Sequence, residues 1–215
     1  MFSFKIFYEA SSQPNIWVVG GPPATGKTTM MKYIKDLKIP DLLIKDLDDI
    51  TQPVADQLST NLQQLHDEAG GWDEVAEKDI IRVEQQSSKG MDAAISTWIK
   101  DNINKGQDMF LVGNAFLSSK RAPNFFWFPE NTKKFFLSRD PEGIIQSKIE
   151  RDNPKQTNDA FKVHSTDDAS MQGAIDEIKQ AINLYKQAGW TEVDVEGHKV
   201  PQEIIDDVKN TYQYK

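Results

Sequence analysis

The chain has 215 residues, with 25 basic and 33 acidic side chains and a net charge of −8. A balance this acidic argues against a general nucleic-acid coat or a membrane-surface binder, both of which need a basic face, and leaves open only a local basic pocket for phosphates. The absence of cysteine removes disulfides, thiolate metal sites and a cysteine nucleophile, no apolar run approaches the ~18 residues of a membrane span, and the length suits one α/β domain with a small insert.

Residues 1–15 read as an N-terminal arm. Phe2, Phe4, Ile6, Phe7 and Tyr8 are apolar, Lys5 and Glu9 interrupt them, and Ser11 to Asn15 break the pattern. The expectation is an arm packed on the domain rather than a secretory signal, and hence a soluble, cytoplasmic protein. The S-F-K-x-F-x-E-A opening also resembles the starts of many tailed-phage proteins, which would make that cytoplasm a host's.

The stretch from Ile16 to Met30 organises the rest. A first strand, Ile16 to Val19, runs into Gly21-Pro22-Pro23-Ala24-Thr25-Gly26-Lys27-Thr28, which fits G-x-x-x-x-G-K-[ST] at every fixed position. Gly21 and Gly26 permit backbone angles and close approaches that a Cβ would block. The turn then aims successive N–H groups, and the N-terminus of a helix over Gly26 to Leu37, at a phosphate chain. Lys27 brings a mobile charge to the β and γ phosphates, and the Thr28 hydroxyl can ligate Mg²⁺. Thr29 completes the nucleotide-binding set at the start of the helix.

A second strand, Leu42 to Lys45, is followed by Asp46-Leu47-Asp48-Asp49. Three carboxylates there read in two ways. They are a solvated turn capping the next helix, or, behind a phosphate loop, a ligand-facing group at the carboxyl end of a strand. From Pro53 to Lys105 the pattern is helical, with breaks expected at Gly70-Gly71 and near Ser87 to Gly90. Leu58, Leu62 and Leu65 share a face, and Ala94, Ile95, Trp98 and Ile99 form an apolar stripe. These are read as core, and His66 as exposed and idle.

Met109 to Val112 fits a buried central strand that ends in Gly113-Asn114. Asn124-Phe125-Phe126-Trp127-Phe128 is either a hydrophobic corner under the sheet or an aromatic wall against a base. A fourth strand over Lys134 to Leu137 precedes Asp140-Pro141-Glu142, a helix start with Pro in the first turn. That helix carries Lys148 and Arg151 near its end. Pro154 opens a polar stretch suited to a mobile lid over about 151–166. A helix over Asp167 to Ala188 carries Met171, Ile175, Ile178, Ile182 and Tyr185 on one face. A fifth strand, Thr191 to Val195, and a last helix, Pro201 to Tyr212, complete the pattern. The predicted fold class is α/β, a three-layer sandwich of five mostly parallel strands with helices on both faces. The helical insert at about 51–105 is the place for an acceptor-binding subdomain, inside a domain spanning 16–215.

GPPATGKTT, DLDD after the second strand, SKIER before a polar stretch and VDVEG before the last helix together resemble P-loop kinases of the nucleotide-kinase type. The likeness covers most of the chain in order, and its first motif is the specific one. It implies transfer of the ATP γ-phosphoryl, with Mg²⁺, to a small-molecule acceptor such as a nucleotide or nucleoside. IKDLDDI is similar to the stretch in polynucleotide and zeta-type kinases that supplies an acceptor-orienting Asp. That places Asp48 in this role and beside the metal, although those families have Arg two residues after the pair and this chain has Ile50-Thr51. Arg151, supported by Lys148, matches the lid cations that clamp the transferred group. Gly113-Asn114 stands where motor-type hydrolases carry Asp. A nucleotide-binding switch or hydrolase, a polynucleotide 5′-kinase and a degenerate kinase serving as a scaffold are the other readings.

Overall fold

The computed structural model describes residues 13–117, 124–151 and 168–213. The expected arm up to residue 12, and the expected lid beyond Arg151, lie outside the described residues. In chain order the elements are β1 (Ile16–Gly20), α1 (Lys27–Asp36), β2 (Leu43–Asp46), α2 (Leu47–Ala69), α3 (Glu77–Asn104), β3 (Met109–Val112), β4 (Phe116–Leu117), β5 (Asn124–Phe125), β6 (Lys133–Ser138), α4 (Pro141–Arg151), α5 (Asp168–Gln187), β7 (Thr191–Asp194) and α6 (Gln202–Gln213). Single 3-10 turns sit at Trp72–Glu74 and Glu196–His198.

Every residue of β1 and β3 is buried, as unbroken apolar runs must be when helices cover both faces of a parallel sheet. The five main strands are all parallel, in the order β2-β3-β1-β6-β7. Strand alternation sorts the side chains into two layers. Trp17, Val19, Phe110, Val112 and Leu137 face α1 and α6 through Met30, Ile34, Ile204 and Val208. Ile16, Val18, Leu111 and Phe136 face the other helices through Leu47, Ile95, Ile99 and Tyr185. The connection after β1 runs to one side of the sheet, and that after β6 runs to the other. The crevice outside the carboxyl ends of these neighbours is therefore the topological switch point, where α/β sheets bind ligands.

The structure differs from these expectations in four places. The helix after β2 starts at Leu47, capped by Asp46, and takes Pro53 into its interior. No break occurs near Ser87 to Gly90, because α3 runs unbroken over 28 residues. Ser87 is buried there, and a Cβ on Gly90 would lie 3.0 Å from Val54 Cγ1. Close packing of α3 on α2 thus uses the small residues that intrinsic propensity counts as breakers. The sequence also gave no sign of the antiparallel β4–β5 pair. His66 is half-buried rather than exposed: its ring sits 4.9 Å from that of Trp72, and its Nδ1 lies 2.9 Å from Asp67 Oδ1. The aromatic stretch is a hydrophobic corner, with Phe126 and Phe128 buried near Trp190 and Trp127 turned outward.

Candidate active site

The loop of residues 21–28 leaves the carboxyl end of β1 at the switch point. Gly26 caps α1 in a left-handed conformation (φ 90°, ψ 16°), which a side chain with a Cβ resists and glycine adopts freely. The first turn of α1 carries no acidic residue and no side-chain cap, so its N–H groups and the positive end of its dipole face the mouth of the loop. Thr28 and Thr29 are exposed on that turn. Within the loop, the Thr25 hydroxyl is buried and donates to the Pro22 carbonyl at 2.8 Å. Lys27 curls over the loop, its Nζ donating to the carbonyls of Gly21 at 2.8 Å and Pro22 at 2.7 Å. Pro22 is buried, while Pro23 and Ala24 are half-buried.

The three carboxylates at and just after the end of β2 separate by geometry. Asp46 accepts from the Asp48 N–H at 3.0 Å and caps α2. Asp49 pairs with Lys45 at 2.8 Å. Asp48 lies within electrostatic reach of Lys27, and the Asn114 backbone N–H at the tip of β3 donates to it. Its residue is exposed, yet protein atoms crowd the carboxyl. Loss of water is the largest cause holding its pKa above the usual Asp value, followed by repulsion from Asp46, while Lys27 and the Asn114 N–H pull it down. Asp46 is the cap that the first reading of this stretch expects, and Asp48 lies within electrostatic reach of the loop lysine.

Lys148 and Arg151 lie on the last turns of α4; their side chains fall outside the described residues. Among the described residues no three or more His, Asp or Glu side chains gather to hold a metal. Thr28 and Asp48 remain as oxygen donors. They fit Mg²⁺, which keeps waters and takes one or two protein oxygens together with substrate phosphates.

Sequence reasoning missed two contributors. Asn114 registered as a missing acid, whereas its backbone N–H holds Asp48. Tyr185 registered as one residue of an apolar stripe. Its buried hydroxyl accepts from the Gly21 N–H at 2.9 Å and, at the long limit of 3.5 Å, from the Ala115 N–H. No local signal marks a tyrosine as reaching a loop 164 positions away.

Fold and site together define a three-layer α/β protein with a G-x-x-x-x-G-K-[ST] loop at its switch point. No family model and no curated protein sequence matches the chain. Among solved structures it is similar to a dephospho-CoA kinase from Campylobacter jejuni, at 10% identity and TM-score 0.50, over 93% of this chain and 98% of that one. It also aligns with a gluconokinase from Sinorhizobium meliloti 1021 (13% identity, TM-score 0.41, 90% of this chain and 88% of that one). A third alignment is with TT1252 from Thermus thermophilus (11% identity, TM-score 0.47, 94% and 99%). The first of these shares the fold; the other two alignments are looser. Among the described residues no helix is long and apolar enough to cross a membrane.

Proposed function

We propose that the chain is an ATP-dependent phosphotransferase that moves the γ-phosphoryl of ATP to a small-molecule acceptor, a nucleotide or nucleoside. The observation that carries this reading is the placement of Asp48. A carboxylate with raised pKa stands within electrostatic reach of the phosphate-loop lysine, at the carboxyl ends of β1 and β3. Phosphoryl transfer demands positioning and charge neutralisation more than covalent help. The backbone of residues 21–28 cradles the donor phosphates, and Lys27 exchanges its loop carbonyls for phosphate oxygens. Thr28 and Asp48 are the residues that would hold Mg²⁺, whose charge would neutralise the phosphates.

Asp48 accepts the acceptor hydroxyl's hydrogen bond and fixes the angle of attack, a role for which a raised pKa suits a base. Arg151, with Lys148, supplies cationic charge to the transferred group from the end of α4. The test is a panel of nucleosides, nucleotides, sugars and 5′-hydroxyl oligonucleotides incubated with γ-labelled ATP and Mg²⁺. Label appearing in a nucleotide or nucleoside supports the proposal. Label only in inorganic phosphate points to a hydrolase instead.

A further inference from the structure

Tyr185 lies on α5, on the opposite side of the sheet from α1, and its ring is fully buried. It stacks on Phe136 at 5.0 Å and meets Phe125 and Trp190 edge-on at 5.4 and 5.1 Å. From this socket the hydroxyl passes between two strands' ends. The Gly21 N–H, which opens the phosphate loop, reaches it at 2.9 Å. On its other side is the Ala115 N–H at 3.5 Å, one residue beyond the Asn114 N–H that donates to Asp48. The fit leaves room only for glycine at the end of β1, since a Cβ on Gly20 would sit 2.5 Å from the Tyr185 oxygen. Burial pushes the phenol pKa far above its ordinary value, so the hydroxyl stays neutral at all working pH.

We infer that Tyr185 is a positioning residue for phosphoryl transfer, its hydroxyl fixing the spacing between the donor loop at Gly21 and the β3 tip that holds Asp48. The inference rests on the phosphotransferase reading above and adds to it a residue outside every recognisable motif. One hydroxyl accepting from both walls makes their separation a property of α5. Transfer is sensitive to that separation because an ångström of misplacement at reacting groups costs roughly a hundredfold in rate. A role confined to the core would come from the ring alone, and the ring is what Tyr185→Phe retains.

The experiment compares Tyr185→Phe with Trp190→Phe, which disturbs the same aromatic cluster and leaves the hydroxyl in place. Both are assayed well below their melting temperatures, with ATP, Mg²⁺ and the acceptor found by the panel. Tyr185→Phe is expected to lower kcat by ~10–100-fold with KM for ATP and acceptor changed less than about threefold. Trp190→Phe is expected to lower Tm at least as much and keep its kcat. Unchanged kcat in Tyr185→Phe, or equal losses of kcat in both variants, overturns the inference. A second readout needs no turnover: amide hydrogen exchange at Gly21 and Ala115, resolved by NMR. Tyr185→Phe should speed exchange at both sites together, and Trp190→Phe should speed neither selectively. If the wild-type chain phosphorylates nothing, the phosphotransferase reading falls by itself. Exchange then decides the coupling, and unchanged protection at either amide overturns it.

Discussion

Gly113 at the tip of β3 packs against Leu47 at the start of α2 so closely that a Cβ on Gly113 would lie 2.8 Å from the Leu47 Cβ and 3.2 Å from Asp46 Oδ1. Its φ of 152° is also one that residues with a Cβ rarely adopt. The contact sets the distance between the β3 tip and the turn that presents Asp48. Gly113→Ala is expected to destabilise the fold by about 1–3 kcal/mol, as overpacking does, and to lower turnover beyond what the lost folded fraction explains. Urea unfolding alongside kcat at low temperature checks this. A fully active, equally stable alanine variant would show that the tip relaxes without cost.

Lys27→Ala should remove measurable phosphoryl transfer and leave the circular dichroism spectrum intact. Its Nζ donates to the loop carbonyls of Gly21 and Pro22, and its side chain belongs to none of the apolar core clusters. Loss of one such charge-stabilising group costs at least ~10²–10³-fold in rate. Ordinary turnover in the variant would remove the phosphate loop from the mechanism.

Asp48→Asn should lower kcat by roughly 10²–10⁴-fold with little effect on ATP affinity. Asp49→Asn, which loses only an exposed pair with Lys45, should be nearly silent. Asp46→Ala should cost about 1 kcal/mol of stability through the lost cap. If Asp49→Asn is the crippled enzyme and Asp48→Asn works, the acceptor-facing carboxylate has been misassigned.

The pH profile follows from the direction of the Asp48 shift. Its folded pKa is raised, so the native state holds this proton more tightly than the unfolded chain does. The carboxyl thus favours folding fully below the ordinary Asp pKa and loses that contribution as pH rises through the folded value. Asp48→Asn should therefore be slightly more stable than wild type at neutral pH, with the difference shrinking in acid. As a base, the wild-type carboxylate should give kcat an acid limb above the ordinary Asp range. Thermal melts of both proteins from pH 4 to 8 test the first point. A wild-type rate that stays level down to pH 4 would contradict the second.

Arg151→Ala is expected to reduce kcat ~10²-fold or more, with ATP affinity nearly unchanged, if the cation meets the phosphoryl group mainly in the transition state. Titration of nucleotide binding beside turnover separates the two effects. A proportional loss of affinity would instead make Arg151 a ground-state ligand.

The sheet was legible because its signals are local. Unbroken runs such as Met109 to Val112, bounded by glycine and helix starts, leave few alternatives, and the observed strand ends differ from the expected ones by about a residue. Asp140 caps α4 by accepting from the Gly143 N–H at 2.9 Å, as its Pro141 neighbour announced. What could not be read depends on packing between distant segments. Gly90 looked like a stop and is a helix contact. Asp46, Asp48 and Asp49 are chemically alike in sequence, and only the turn of α2 aims one at Lys27, one at its own helix and one at Lys45. Tyr185, unlike the isoleucines on its stripe, carries a hydroxyl whose partners lie just beyond the ends of β1 and β3.

The Gly21–Tyr185 hydrogen bond joins residues 164 positions apart, and it gives the site a place in the order of folding. The loop motif is synthesised well before the phenol that seats it, which arrives only when α5 is nearly complete. Contacts this distant form late, because the intervening chain must close on itself before they return any stability. A ribosome-bound chain stopped short of α5 is therefore expected to carry the whole motif without a seated loop. Any nucleotide capture by the loop would have to wait until α5 has emerged and packed against the sheet.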